Sequence, residues 1–132
     1  MNNTVLKILI VEDSKALANW YKQILESNGH KVTVTYDGKT ELEIYEKELK
    51  NGLVSKTPFD LIISDNSMKE MNGVDAGKII HDFFPEQKFF FITGEKNRVL
   101  DVFDVDGKNI DVEEKPISLA LFNKKVKLLV QH

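Results

Sequence analysis

A small set of polar residues stands at the ends of apolar runs: Glu12 and Asp13 after Val5 to Val11, Asp65 after Leu61-Ile62-Ile63, Thr93 closing Phe89 to Ile92, and Lys115-Pro116 after Ile110-Asp111-Val112. If these runs are parallel strands of one sheet, their carboxyl ends lie side by side, and the acids, the hydroxyl and the ammonium converge on one crevice. Glu12, Asp13 and Asp65 brought into contact would repel one another, and a hard divalent cation is the usual way such a cluster is tolerated. Magnesium suits it, because it takes oxygen ligands, keeps several waters and bridges carboxylates to phosphate. Asp65, just past its strand, is placed to act as a nucleophile and form an acyl phosphate. A phosphoryl group in transfer spreads charge over three oxygens, so the site also needs positive charge and donors around it. Lys115 offers an ammonium, Thr93 a hydroxyl, and the backbone N–H groups after Asp65 further donors.

The elements that must position these groups follow from periodicity. After the first strand, Leu17, Trp20, Tyr21, Ile24, Leu25 and Asn28 trace a helical stripe that Gly29 is placed to end. Val32, Val34 and Tyr36 alternate with Lys31, Thr33 and Thr35, the period of a strand with one less buried face, and Asp37-Gly38 makes the turn out. Thr40 to Lys50 reads as a second helix with Leu42, Tyr45 and Leu49 inward and its Glu and Lys residues outward, followed by a polar connection from Gly52 to Pro58. Val74 to Phe84 reads as a third helix with Ala76, Ile80, Phe83 and Phe84 on its apolar side and Pro85 stopping it. Phe89 to Ile92 is apolar throughout, as a strand covered on both faces must be. Lys96 to Phe103 is a short, weakly patterned helix, and Ile110 to Glu114 alternates as an edge strand. Leu119, Phe122, Val126 and Leu129 define the last helix. A strand and a helix thus alternate five times. This predicts an α/β fold, an open parallel sheet with helices on both faces, with the ligand crevice where the strand order reverses.

Length and composition bound what such a site could serve. A chain of 132 residues suits one domain with a single core. Its 42% hydrophobic and 30% charged content is that of a globular protein and not of a disordered one. With no cysteine there is neither a disulfide framework nor a thiolate metal site, which fits a reducing compartment. Met1 to Thr4 is polar and the following apolar run is interrupted by Lys7, so no export signal is read, and no run is long enough to span a bilayer. A soluble, cytoplasmic protein without membrane insertion is expected. A net charge of -3 with a single arginine, Arg98, argues against direct nucleic-acid binding, which relies on a basic face.

Taken together, these residues resemble the receiver domains of two-component response regulators, over nearly the whole chain, 1–132. Ile8-Leu9-Ile10-Val11-Glu12-Asp13-Ser14 is similar to that family's acidic-pair motif, and Asp60-Leu61-Ile62-Ile63-Ser64-Asp65 to its phosphoacceptor strand. Met68 and Met71-Asn72-Gly73 match the loop that follows, Phe91-Ile92-Thr93-Gly94 the threonine strand, and Glu114-Lys115-Pro116 the lysine-proline corner. The resemblance implies a flavodoxin-like (βα)5 three-layer sandwich with strand order 2-1-3-4-5. It implies phosphoryl transfer from a sensor histidine kinase or phosphotransfer protein to Asp65, self-catalysed and not enzymatic turnover, followed by changed contacts with a downstream protein target. By the same carry-over Glu12, Asp13, Asp65 and the Ser67 carbonyl hold Mg2+, Thr93 follows the phosphoryl group, Lys115 pairs with it, and a cis peptide joins Lys115 to Pro116. A monomer or weak dimer is expected.

Two positions depart from the family pattern. Lys69 stands where a proline usually follows the methionine of the Asp65 loop, and Val112 stands three residues before Lys115, where relatives commonly carry a tyrosine or phenylalanine that acts as a rotamer switch. Two other classes therefore stand beside the phosphoacceptor. One is a pseudo-receiver, an interaction module insensitive to phosphate, which Val112 and Lys69 favour and the intact acids and Lys115 oppose. The other is a magnesium-dependent phosphatase of the haloacid dehalogenase type, which wants an aspartate two residues after the nucleophile, where this chain has Ser67. Singly, each site residue also has a structural reading: Asp13 as a favourable charge at a helix N-terminus, Lys115 as a solvated lysine, Thr93 as a β-branched strand residue. His30, His81 and His132 show no ligand spacing and are read as surface or loop residues, Trp20 and the phenylalanines as core, and Lys124, Lys125 and Lys127 as a solvated helix face.

Overall fold

The computed structural model describes residues 4–52, 57–65 and 71–131. Five strands, β1 (Lys7–Val11), β2 (Lys31–Thr35), β3 (Leu61–Ser64), β4 (Phe89–Thr93) and β5 (Ile110–Glu114), alternate with five helices, α1 (Lys15–Ser27), α2 (Gly38–Asn51), α3 (Gly73–Phe83), α4 (Lys96–Val102) and α5 (Leu119–Val130). All strand pairings are parallel, in the order β2-β1-β3-β4-β5. This is the flavodoxin-like arrangement, with the order reversing at β1 and β3.

Period two sorts the strand residues between two cores. Leu9, Val11, Ile62, Phe89, Phe91, Ile110 and Val112 face α2, α3 and α4, where Tyr45, Val74, Ile80, Val99 and Phe103 close over them. Ile8, Ile10, Leu61, Ile63, Phe90 and Ile92 face α1 and α5, against Tyr21, Leu25, Phe122 and Leu129. The central strands β1, β3 and β4 are buried on both sides, which their unbroken apolar runs require. Tyr21 stacks on Phe122, ring centroids 5.2 Å apart, and so joins α1 to α5 across their shared face.

Helix starts are set by side chains that satisfy the first orphan N–H groups: Ser14 accepts from Leu17, Asp37 from Thr40, Asn72 from Asp75 and Ser118 from Leu121. α4 has no such side-chain cap. Asp37 and Gly38 therefore open α2 and do not form a separate turn.

Several sequence expectations are corrected. In β2 the pattern shifts at its end: Thr35 is buried, drawn in by its register with Val11, and Tyr36 lies past the strand and exposed. Glu41 does not face outward with the other acids of α2, because its spacing from Gly38 and Tyr45 puts it on the face against the sheet, fully buried. Phe83 is 76% exposed and Leu119 50%, both at helix ends beyond the reach of the sheet. Lys125 is no solvated lysine: its Nζ lies 2.8 Å from Asp111 Oδ2 and 3.1 Å from Glu113 Oε2, and ties α5 to the edge strand. His30 is a loop residue between α1 and β2, as read, and is partly buried with Nδ1 accepting from the Leu6 N–H at 3.1 Å, whereas His81 lies on α3, partly buried and edge-on to Phe103. His132 lies outside the described residues.

Candidate functional site

Glu12 and Asp13 follow β1, Asp65 follows β3, Thr93 ends β4 and Lys115 follows β5. Parallel pairing brings these ends to one edge, and backbone bonds continue the ladder past it. The Glu12 N–H donates to Thr35 O at 3.0 Å, Asp65 N–H to Val11 O at 3.0 Å, and Lys115 N–H to Thr93 O at 3.0 Å. The backbone at Glu12, Asp65 and Lys115 is thus fixed by a neighbouring strand and not by its own loop alone.

One carboxylate oxygen from each of Glu12, Asp13 and Asp65 lies within 4.8 Å of the others. Glu12 and Asp65 are buried and Asp13 is exposed. Lys115 Nζ donates to Asp65 Oδ2 at 2.6 Å and to Glu12 Oε1 at 2.9 Å, while Glu12 Oε2 accepts from the Ser14 N–H at 3.0 Å. Burial pushes the Glu12 carboxyl up, an effect that its bonds to Lys115 and Ser14 only partly offset and that the nearby Asp65 charge reinforces. For Lys115 burial works against the charge, yet the bonds and charges of Asp65 and Glu12 together hold the ammonium above its ordinary value. Tyr21, beneath the cluster, is pushed up to about 12 by burial and by the Glu12 charge. Among the described residues, one ammonium, bonded to Glu12 and Asp65, stands with this cluster of three acids. The cluster is all oxygen and open on the Asp13 side, which fits a hard divalent cation.

Thr93 is fully buried, and its Oγ1 accepts from the Glu95 N–H at 2.9 Å, so its hydroxyl holds the entrance to α4. The Lys115-Pro116 peptide is cis. Behind Asp65, Gly73 N–H donates to Asp65 O at 3.0 Å, and a Cβ at position 73 would stand 2.0 Å from that oxygen. Only glycine permits this approach. Glu12, Asp13, Asp65 and Lys115 are therefore together, with Thr93 on the adjoining strand end. Ser67, Met68 and Lys69, and the backbone donors expected after Asp65, lie outside the described residues. Sequence reading missed the double role of Gly73 and the ammonium's reach to Glu12. A glycine closing the matched Met71-Asn72-Gly73 loop was the available signal for the first.

Residues 8–127 match the family model described as the response regulator receiver domain. The response regulator receiver protein CpdR of Brucella abortus (strain 2308) is 28% identical over 125 residues, covering 94% of this chain and 97% of that protein. The solved receiver domain of the Francisella response regulator 1452 superposes with a TM-score of 0.74 at 25% identity, over 96% of this chain and 97% of that one. The receiver domain of the sensor histidine kinase PA1611 from Pseudomonas aeruginosa PAO1, whose structure has a magnesium ion coordinated in the active site cleft, shares the fold at 18% identity with a TM-score of 0.79, over 98% of this chain and 100% of that one. With the family model spanning nearly all of it, the chain belongs to the response regulator receiver domains of two-component systems.

Proposed function

We propose that this receiver domain, occupying the whole of 1–132, accepts a phosphoryl group on Asp65 from a phosphohistidine of a sensor histidine kinase or phosphotransfer protein. The observation that carries this reading is the Asp65 carboxylate itself: buried, yet at the focus of Glu12, Asp13 and the Lys115 ammonium. An Asp65 oxygen attacks phosphorus, the P–N bond to the donor imidazole breaks, and its electron pair stays on the imidazole nitrogen. Glu12, Asp13, Asp65 and the Ser67 carbonyl would hold Mg2+, which supplies positive charge against the acids and the phosphoryl oxygens. Lys115 turns from the Asp65 carboxylate to the incoming phosphoryl oxygens as a charge-assisted donor. Thr93 exchanges its bond with Glu95 for one to the phosphoryl group. The change is read by a downstream protein, the chain itself catalysing only its own phosphorylation and dephosphorylation. The ion in the related PA1611 domain and the oxygen-only donor set here support the choice of Mg2+. A cytoplasmic location fits a domain in which no helix among the described residues is long and apolar enough to cross a membrane.

One observation favours a second reading, the phosphate-insensitive interaction module. Val112 is buried in the core that also holds Val99 and Phe103, with no movable ring to signal an event at Thr93. Incubation with a small acyl phosphate and Mg2+, followed by intact-mass measurement, separates the classes. A phosphate adduct lost in Asp65→Asn is the expected result; no adduct supports the interaction module, and rapid turnover of donor supports the phosphatase.

A further inference from the structure

The first turn of α2 holds a group that phosphoacceptor chemistry does not use. Glu41 is fully buried, and neither of its carboxylate oxygens has a hydrogen-bond partner. Among the described residues, none provides it a counter-charge. On α3, Asp75, Lys78 and Asp82 are exposed and His81 lies against Phe103; on β2, Lys31 is exposed and the buried Thr35 hydroxyl is itself without a partner. On β1, Lys7 is paired with Glu48 of α2. On α2 itself Asp37 caps Thr40, and the Tyr45 hydroxyl donates to Gln87 Oε1 at 2.9 Å. A charged carboxylate in such surroundings is among the costliest groups a core can hold. Burial alone accordingly pushes the Glu41 carboxyl well above the usual carboxylate range.

The same turn is fastened to the backbone behind Asp65. Gly38 N–H donates to Met71 O at 2.6 Å, and a Cβ at position 38 would stand 2.4 Å from that oxygen and 2.8 Å from Asn72 O. Asn72 caps α3, and Gly73, next in sequence, donates to Asp65 O at 3.0 Å. Two close backbone contacts thus connect the turn that carries Glu41 to the residue that carries the candidate nucleophile.

We propose that the Glu41 carboxyl is a proton latch on this connection: as the neutral acid it lets the first turn of α2 lie on α3 and hold Met71, and as the carboxylate it seeks water and lifts that turn. On opening, one proton passes from the carboxyl to solvent, the Gly38 to Met71 bond is released and the backbone behind Asp65 loosens. The latch is closed below the ordinary glutamate range and opens as pH rises through the native value of Glu41. Its effect on phosphorylation rests on the reading of Asp65 as the acceptor; the latch itself does not.

The test is a carbon-13 NMR titration of the Glu41 side chain in the full chain, with amide exchange of Gly38 and Gly73 corrected for intrinsic pH dependence. The expected result is a Glu41 midpoint above the ordinary range, with protection of both amides falling about tenfold or more through the same midpoint. In Glu41→Gln, and in Glu41→Leu should the amide prove too poorly accommodated, protection should be flat across that range. A Glu41 midpoint near 4.5, or Gly38 protection that ignores the titration, overturns the proposal. Phosphorylation by a small acyl phosphate, followed across the same range in parent and Glu41→Leu, separates the two readings. If Asp65 takes no phosphate at any pH while the NMR midpoint stands, the acceptor reading fails and the latch survives.

Discussion

At the scale of single residues, the site among the described residues is a contest between three acids, Glu12 and Asp65 buried and Asp13 exposed, and one ammonium, and each can be changed separately. Asp13→Asn and Asp65→Asn each remove a negative charge from the oxygen cluster. Each should weaken Mg2+ binding by calorimetry about tenfold or more, the scale on which even outer-shell partners of a metal act. Unchanged affinity in both would remove the metal site. Lys115→Ala should leave Mg2+ affinity equal or slightly improved, because the ammonium occupies the same carboxylate oxygens that the cation needs, while abolishing the spectral change on phosphorylation. A variant that responds as the parent does would refute the role given to Lys115. His30 gives a second pH effect, of opposite sign to that of Glu41. Burial lowers the His30 imidazole below its ordinary value, and its Nδ1 must stay unprotonated to accept from Leu6. The stability this contributes is complete above about 6.5, the unfolded value, and is lost as pH falls through the lower native value. Denaturant midpoints at pH 7.5 and pH 5.5 should therefore diverge more in the parent than in His30→Gln; equal divergence would sink the assignment.

At the scale of elements, the interest lies in how an event at Thr93 leaves the site. Relatives that carry an aromatic three residues before the lysine can fill the space Thr93 vacates; Val112, with one side-chain torsion and a place in the core, cannot. What Thr93 does hold is the Glu95 N–H, at the start of α4, and α4 is the shortest helix described and has no side-chain cap. Val99 is its sole buried residue. An open cleft bounded by Gly94, Glu95, Arg98, Asp101 and Glu114 lies beside this turn and leaves room for it to shift. A phosphate mimic should therefore alter hydrogen exchange chiefly in residues 94–103, around a helix that has one buried residue and no side-chain cap to hold it. A response centred on Val112 and β5, with 94–103 silent, would contradict this. Gly73 makes the opposite case, an element end with no slack: Gly73→Ala should shift the backbone behind Asp65 and lower stability by about 1–3 kcal/mol, measured by denaturant unfolding.

At the scale of the whole molecule, binding at the sheet's edge should stabilise the entire domain, because its ligands come from both β1 and β3 and exist as a set only when those strands are paired. Mg2+ at a hundredfold excess over its dissociation constant should add about 2.7 kcal/mol to unfolding, and Asp13→Asn, binding about tenfold or more weakly, should cut that increment to about 1.4 kcal/mol or less at the same concentration. Much of this molecule was legible in the sequence. Unbroken apolar runs, period two and period 3.6 located the strands and helices, α4 only as a weak pattern, because burial on one or both faces leaves its mark on local sequence. Polar residues at strand ends marked the crevice, since parallel strands carry their carboxyl ends to one edge whatever their order. Periodicity did not choose the order 2-1-3-4-5, which came from resemblance and which the pairings establish. Burial of Glu41, exposure of Phe83 and the bridging place of Lys125 were also beyond it, since each depends on what another element puts opposite a helix face. A charged residue read by type alone is assigned to solvent. Only packing decides whether solvent is there, and for Glu41, between Gly38 and Tyr45 on the inner face of α2, it is not.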